Sequence, residues 1–468
     1  MRKFLALIYL TAALVLGASP AAAQSEQPVR LADERYKADI LVVVAHPDDE
    51  GAATPYLARA MDQGKRVAVV YGTRGSSGGN EVGTEQAGAL GNIREIEARR
   101  ALATLGITNA WFLGGRDTAS QNVLQSLANW GHGSSLEQLV RIVRLTRPEV
   151  ILTFLPGTFI GEDHGDHQAA GVLATEAFDI SGDSTVFPEQ VAGPTKRLEV
   201  FLENLRPWQV KKIYYFPDAD NDALFAGKGP EYAVKEISKS SKKAYWRMAL
   251  ESFREHQTQA KSYLDSLAKM NEAQIEKMAT EPGGWGDAQH FVLGKSLVGG
   301  NVTGDIFEGI TAGAIPFARP VIGANASADS GRTGVSVELG GPWSFYADFR
   351  VAHGLGHLPH PEPPEIALQA PGSLLIPLWL RNQTASPVEI ILNAKLPGGW
   401  SVASGEGKYS IPPYQVVAAR VEINFPAVAE NKPKNAELEE VAIQGTSGAQ
   451  SVGVAKVRVE RRKKALPQ

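Results

Sequence analysis

Two short clusters of histidine and carboxylate side chains stand out in this sequence. The first is Ala45-His46-Pro47-Asp48-Asp49-Glu50, and the second is Glu162-Asp163-His164-Gly165-Asp166-His167. Their side chains are of the types that bind metal ions and carry protons in enzymes. A single cluster of this kind is usually a helix cap in a solvated loop, so its meaning depends on whether the two clusters come together.

Apolar runs rich in β-branched residues precede both clusters. Ile40–Ala45 leads into the first and Val150–Phe154 comes before the second, and such runs are typical of strands buried on both faces. Similar runs at Val67–Tyr71, Ala110–Leu113 and Lys212–Phe216 alternate with helical patterns. This alternation predicts an α/β fold with a Rossmann-like, doubly wound and mostly parallel sheet. Because ligands bind beyond the carboxyl ends of parallel strands, we expect the two clusters to meet at one sheet edge.

The residue types in the clusters fit a metal-dependent hydrolase. His46, Asp49 and His167 make up a two-histidine, one-carboxylate ligand set for a catalytic zinc ion. Asp48 is then left beside the metal as the general base that accepts a proton from the attacking water. His164, three residues before His167, is expected to face the same cavity, to stabilise the oxyanion as an imidazolium and to protonate the leaving amine.

Asp166 has two interpretations on sequence alone. It could orient a histidine ring by accepting a hydrogen bond from the nitrogen that faces away from the metal. It could also be the N-cap of the helix that follows.

The two clusters resemble the motifs of the LmbE-like (PIG-L) deacetylase family, whose members remove acetyl groups from N-acetylglucosaminyl substrates. The first is identical to the family's A-H-P-D-D-E, and the second keeps the histidine spacing of the usual H-P-D-H but has Gly165 at its second position. The resemblance, over roughly residues 39–260, implies zinc or iron(II) on the ligands given above and the base role for Asp48. By resemblance alone, Arg94 and Asp117 are implied to contact substrate hydroxyls.

The predicted function is therefore removal of an acetyl group from a GlcNAc-type sugar or glycoconjugate. A metal-dependent amidase acting on a sugar–thiol or another small amide conjugate is an alternative that shares every catalytic residue. A glycan-binding protein without catalysis is a second alternative, although it would not need Asp48 beside a metal. A dinucleotide-dependent enzyme is disfavoured because G-x-G-x-x-G is missing after the first strand. The net charge of −4 gives no reason to expect a nucleic-acid partner, and the oligomeric state stays open.

The first residues have the pattern of a signal peptide at 1–23. Arg2 and Lys3 precede the apolar run Phe4–Leu16, and Ala21-Ala22-Ala23 supplies the small residues of a cleavage site. A run of about 13 apolar residues is shorter than the roughly 20 needed to span a bilayer. We therefore expect a secreted or periplasmic protein with no stable membrane insertion after cleavage, and an uncleaved anchor is the alternative. The chain has no cysteine, which excludes disulfides and thiolate ligands.

The domain prediction has three parts after the signal peptide. They are a deacetylase domain at 39–290, a connecting region with a proline-rich linker at 291–364, and a β-sandwich at 365–460. The last resembles the immunoglobulin-like modules of secreted bacterial glycan enzymes, because Pro397-Gly398-Gly399-Trp400 matches their P-x-G-W turn. We expect Trp400 to lie in the core of this module.

Overall fold

The structure is a computed structural model that describes residues 34–157, 164–192, 205–216, 225–281, 284–318, 334–358, 360–428 and 438–463. The predicted signal peptide lies outside these residues. Within the described ranges, every helix is too short or too polar to cross a membrane.

A six-stranded sheet forms the centre of the N-terminal half. The strands of this half are β1 (Ile40–Val44), β2 (Val67–Tyr71), β3 (Asn109–Phe112), β4 (Val150–Phe154), β5 (Lys212–Phe216), β6 (Glu231–Tyr232), β7 (Gln289–His290) and β8 (Val292–Ser296). The sheet has the order β3-β2-β1-β4-β5-β8, while β6 and β7 form a separate pair. Strands β1 to β5 are parallel to their neighbours, and β8 runs antiparallel to β5 at one edge.

The burial of the central strands explains their composition. Every residue of β1, β2, β4 and β5 is buried, so these strands carry apolar side chains on both faces rather than in alternation. The predicted α/β class and the mostly parallel sheet are confirmed.

Helices follow most of the strands of this sheet. Those described are α1 (Thr54–Asp62), α2 (Ala87–Thr104), α3 (Val123–Trp130), α4 (His132–Thr146), α5 (Gly165–Ile180), α6 (Pro188–Val191), α7 (Tyr245–Phe253), α8 (Gln257–Ala268), α9 (Glu272–Thr280) and α10 (Pro342–Ala352). In the sheet, β2 lies on one side of β1 and β4 lies on the other side. A reversal of strand order of this kind opens a crevice at the carboxyl ends of the two strands, and ligands bind in such crevices.

Two further sheets make up the C-terminal part. Their strands are β9 (Val335–Leu339), β10 (Glu365–Ala370), β11 (Gly372–Asn382), β12 (Val388–Lys395), β13 (Ser401–Ser404), β14 (Gly407–Ile411), β15 (Gln415–Phe425), β16 (Glu439–Ser447) and β17 (Gln450–Lys463). The sheet orders are β13-β15-β11-β9 and β10-β17-β16-β12-β14, with antiparallel pairs except β10 with β17. Apolar side chains of both sheets, among them Ile376 and Ile443, share one buried cluster that also holds Trp400, as expected.

The predicted connecting region contains a strand and a helix that contact the parts of the chain on either side of it. Strand β9 pairs with β11 and so adds to a C-terminal sheet before the expected boundary at residue 365. Helix α10 buries Tyr346 and Phe349 in the cluster that also contains the central sheet. His353, just after α10, lies 2.6 Å from an oxygen of Asp179, which is also bonded to Lys295 at 2.7 Å. The connecting region is therefore tied to both parts of the chain.

Candidate active site

The two sequence clusters meet at the carboxyl edge of the central sheet, where the strand order reverses. His46 lies two residues after the end of β1, whereas His164 and His167 lie at the start of α5, the helix that follows β4. The centroid of the His46 ring is 4.7 Å from that of His164 and 5.2 Å from that of His167, and the last two are 5.0 Å apart. The convergence expected from the strand positions is present.

The Asp49 carboxylate lies between two of these histidines. Its Oδ2 accepts hydrogen bonds from the backbone N–H groups of Ala45 at 3.0 Å and His46 at 2.7 Å, and it is 3.4 Å from His46 Nδ1. Its Oδ1 is 3.2 Å from His167 Nε2. The two rings thus lie near different oxygens of one carboxylate, and zinc in catalytic sites accepts histidine nitrogen and carboxylate oxygen as ligands.

The second ring nitrogen of His46 faces two further carboxylates. Nε2 lies 3.2 Å from Asp117 Oδ1 and 3.3 Å from Asp166 Oδ2. Asp166 is fully buried, and the same oxygen accepts the backbone N–H of Thr118 at 3.1 Å. A carboxylate on the far nitrogen can fix the orientation of a metal-binding histidine, and this role for Asp166 stays a prediction. The N-cap of α5 is His164 and not Asp166, so the alternative interpretation of Asp166 is wrong.

The charges around His46 suit a cation. Burial acts to lower the pKa of His46, but Asp49, Asp117 and Asp166 outweigh it and hold this pKa well above its usual range. Burial acts in the opposite direction on Asp49, yet the His167 and His46 rings hold the pKa of Asp49 well below its usual range. Carboxylates that stabilise a proton on His46 also stabilise a metal ion near its ring.

Asp48 lines the same cavity in an unusual backbone conformation. Its φ of 110° and ψ of −26° lie in a region that is unfavourable for residues with a Cβ atom. Burial, with the nearby charge of Asp49, raises the pKa of Asp48 to about 7. A carboxyl group with such a pKa is suited to proton transfer near neutral pH.

His164 also lines the cavity, and its environment disfavours the charged ring. Burial, followed by the proximity of His46 and His167, lowers the pKa of His164. Its Nδ1 is buried and makes no hydrogen bond to any residue that the structure describes. Ligand-type atoms of His46, His164 and His167 lie within 4.8 Å of one another, so His164 is an alternative to Asp49 as third ligand. The imidazolium role of His164 stays a prediction.

Arg94 and Asp117, the two residues implied by resemblance to contact substrate, hold one loop beside the cavity. The Arg94 guanidinium donates to the carbonyl oxygens of Gly75, at 2.5 Å, and Gly79, at 2.8 Å. Asp117 accepts the backbone N–H of Ser77 at 2.6 Å. Arg94, Asp117 and Ser77 also line the cavity itself. Substrate contact by Arg94 and Asp117 stays a prediction.

Gly165, the departure from the usual H-P-D-H, has a structural reason. Its backbone N–H donates to the Ser120 carbonyl at 2.7 Å, a bond that proline has no N–H to form. A Cβ atom at Gly165 would lie 2.7 Å from Ser126 Oγ and 2.9 Å from the Ser120 oxygen. Glycine therefore allows the segment after Asp117 to approach the start of α5 closely.

Other residues of the site were missed on sequence. Phe253 and Trp285 also line the cavity, and their ring centroids are 5.2 Å apart. Glu50, inside the first motif, pairs with His256. Glu50 could have been found from the sequence because it lies within the first motif. Phe253, Trp285 and His256 lie far along the chain from both motifs. The complete cavity has a volume of about 580 Å³.

Comparison with known proteins gives one family match. Residues 41–178 match the model of the PIG-L family, which is described as GlcNAc-PI de-N-acetylase. The match spans His46, Asp48, Asp49, the Arg94 helix and His167 but not α7 to α9.

Individual relatives have similar descriptions. A 1D-myo-inositol 2-acetamido-2-deoxy-alpha-D-glucopyranoside deacetylase from Frankia casuarinae is 34% identical over 193 residues, which is 37% of this chain and 57% of the relative. The Thermobifida fusca protein of that description is 27% identical over 244 residues, covering 47% and 82%. The N,N'-diacetylchitobiose deacetylase from Pyrococcus horikoshii aligns with 56% of this chain and 86% of its own, at 17% identity and a TM-score of 0.36. The chain spans little more than half the length of the Frankia relative, and its residues 41–178 are similar to the PIG-L family.

Proposed function

We propose that this chain is a metal-dependent N-deacetylase of the LmbE-like (PIG-L) family that acts on an N-acetylated, glucosamine-type sugar conjugate. The observation that carries the proposal is the meeting of His46, Asp49 and His167 beside the Asp48 carboxyl group in one cavity. The family match over residues 41–178 supports the reaction class. The relatives described as deacetylases of an inositol-linked 2-acetamido sugar support the substrate class.

The residues present fit a divalent metal ion. His46 Nδ1, Asp49 Oδ1 and His167 Nε2 would hold it, since the other Asp49 oxygen is engaged by backbone N–H groups. The carboxylates of Asp117 and Asp166 would keep the proton of His46 on Nε2 and leave Nδ1 free to bind. We propose zinc, with iron(II) as the alternative, because both accept nitrogen and oxygen ligands.

The chemistry is hydrolysis of an amide bond. When bound, the metal ion supplies Lewis acidity to the site. The Asp48 carboxylate accepts one proton of the attacking water, whose oxygen forms a bond to the acetyl carbonyl carbon. The carbon–nitrogen bond then breaks, and the amine nitrogen takes up a proton, so that acetate and a free amino sugar leave. His164, on the same cavity wall, is the group proposed to hydrogen-bond the carbonyl oxygen or pass the proton to nitrogen.

The remaining walls of the cavity suit a sugar. Arg94, Asp117 and Ser77 provide a polar wall, and Phe253 and Trp285 contribute aromatic rings to the lining. Sites of this kind orient a ligand by a few polar contacts against an apolar surface. We propose that the sugar hydroxyls face the polar wall, as the resemblance implies for Arg94 and Asp117.

We also propose where the protein is located and which fold types its two parts have. The chain is exported to the periplasm or beyond with the help of a signal peptide at 1–23. Its central sheet is Rossmann-like, and its two C-terminal sheets form an immunoglobulin-like sandwich, a proposal supported by the strand orders and by their shared core.

Acetate release tests the proposed function. Purified protein is stripped with a chelator, reloaded with zinc or iron(II), and incubated with N-acetylglucosamine, N,N'-diacetylchitobiose and an inositol-linked N-acetylglucosamine. We expect acetate and free amine from at least one substrate with reloaded protein, and neither with stripped protein. Activity that is the same with stripped and reloaded protein would contradict the metal requirement. Acetate release from a simple non-sugar acetamide, tested as a fourth substrate, and from none of the three sugars would favour the amidase alternative.

A further inference from the structure

The backbone of Asp48 needs external support. Its φ of 110° is a conformation that residues with a Cβ atom rarely adopt, and such residues persist only where the surroundings hold them. The Gly51 N–H donates to the Asp48 carbonyl at 2.8 Å, which holds the peptide unit that follows the Asp48 Cα atom. The peptide unit that precedes this Cα atom is held by a carboxylate, which accepts the backbone N–H of Asp48.

That carboxylate belongs to Glu50. Its Oε2 accepts the backbone N–H of Asp48 at 3.0 Å, while its Oε1 is 2.7 Å from Nε2 of His256. Both side chains of the Glu50–His256 pair are almost fully buried, with 2% and 1% of their surface exposed. A buried carboxylate needs a charged or hydrogen-bonding partner, and His256 supplies it.

His256 lies at the junction of α7 and α8, more than 200 residues from Asp48 and outside the family match. The same junction makes a second contact with the loop, because Gln259 Nε2 donates to the Pro47 carbonyl at 2.6 Å. The junction is anchored in turn by Thr258, which donates to both carboxylate oxygens of Glu97 at 2.9 and 2.6 Å. The residues on both sides of Asp48 are therefore held by one distant segment.

We propose that His256 is a positioning residue for Asp48, holding it through Glu50 in the conformation that presents its carboxylate to the cavity. The inference rests on the proposed function, since Asp48 is the base of that reaction. His256 itself does not contact the cavity and takes no part in proton transfer to substrate.

Three substitutions of His256 separate positioning from packing. Leucine and glutamine have similar volumes, but only glutamine places an amide nitrogen near the position of Nε2. We expect His256→Leu to lower kcat by at least about tenfold with KM changed by less than about twofold and metal content unchanged. His256→Gln should retain most of kcat. His256→Asn, whose shorter amide reaches only the Nδ1 position, should behave like His256→Leu and replaces it if that variant does not fold.

The matched control is His132, which makes the same kind of pair. Its Nε2 lies 2.6 Å from Glu176 on the partly exposed surface of α4 and α5, away from the cavity. His132→Leu should leave kcat and KM at the wild-type values. Equal losses of kcat in His256→Gln and His256→Leu, or no loss in His256→Leu, would overturn the proposal.

Crystal structures of the His256 variants give a readout that does not depend on deacetylation. We expect φ of Asp48 to leave the positive region in His256→Leu or His256→Asn and to stay there in His256→Gln. An unchanged φ in His256→Leu or His256→Asn would overturn the positioning role. Should the wild-type protein release no acetate from any substrate, the proposed function fails, and this structural comparison still decides the role of His256.

Discussion

Replacing Gly171 by alanine tests whether the packing of α5 on β4 sets the position of His167. A Cβ atom at Gly171 would lie 2.3 Å from the backbone oxygen of Phe154, and real Cβ contacts are essentially never shorter than 3.0 Å. Helix and strand must therefore separate by at least about 0.7 Å, because neither partner is a flexible side chain. His167 shares the helix, and its ring stacks on that of Phe154 at 4.5 Å.

We expect Gly171→Ala to lower both the thermal stability of the protein and its activity. Overpacking of this kind costs about 1–3 kcal/mol, or roughly 2–12 °C in melting temperature. Since a misplacement of about 1 Å in an active site costs about 10²-fold in rate, we expect Gly171→Ala to lower kcat/KM by about 10- to 100-fold and to weaken metal binding. Circular dichroism melts, metal content and acetate release measure the three effects.

The control for this experiment is Gly133→Ala. Gly133 lies in α4, and a Cβ atom there meets nothing within 4 Å. Alanine should leave activity unchanged and keep or slightly raise the melting temperature, because it is a better helix former than glycine. A Gly171→Ala protein as stable, as active and as metal-loaded as the Gly133→Ala protein would refute the packing argument.

Three further predictions concern the metal, a buried ion pair and the departure from the family motif. His167→Ala should lose the bound metal whereas His164→Ala keeps it, and elemental analysis that shows the reverse would make His164 the ligand. Asp179→Asn should lower the free energy of unfolding by about 3–5 kcal/mol, because Lys295 is left buried without a counter-charge, and an unchanged melting temperature would contradict this. Gly165→Pro, which restores the usual motif, should lower the melting temperature and kcat/KM because it removes a hydrogen bond and creates overlaps. A Gly165→Pro protein with unchanged properties would show that the approach of Ser120 is unimportant.

The central sheet could be predicted because its signal is local. The strands of this parallel sheet are buried on both faces, and each therefore appears in the sequence as an unbroken apolar run; β2, β4 and β5 have the bounds that were predicted. The polar residues after β1 and near the start of α5 could be placed at one edge for the same reason.

What the sequence did not indicate depends on contacts between distant segments. Nothing near His256 reveals that its partner is Glu50, because burial of the pair results only from the packing of α7 and α8. The lowered pKa of His164 likewise comes first from burial and then from two neighbouring rings that are known only once the site is assembled. Strand β9 was missed because its pairing with β11 crosses the segment expected to be a linker.

Turnover by the Asp48→Asn variant, measured together with its metal content, decides whether Asp48 is the base of the proposed reaction. Asparagine cannot accept a proton from water, but it has nearly the shape of aspartate and leaves the ligand set of His46, Asp49 and His167 intact. We expect this variant to hold as much metal as the wild-type protein and to release acetate at least about 10²-fold more slowly. A metal-loaded Asp48→Asn protein with a kcat within about tenfold of wild type would contradict the assignment of Asp48 as the base, and with it the proposed mechanism.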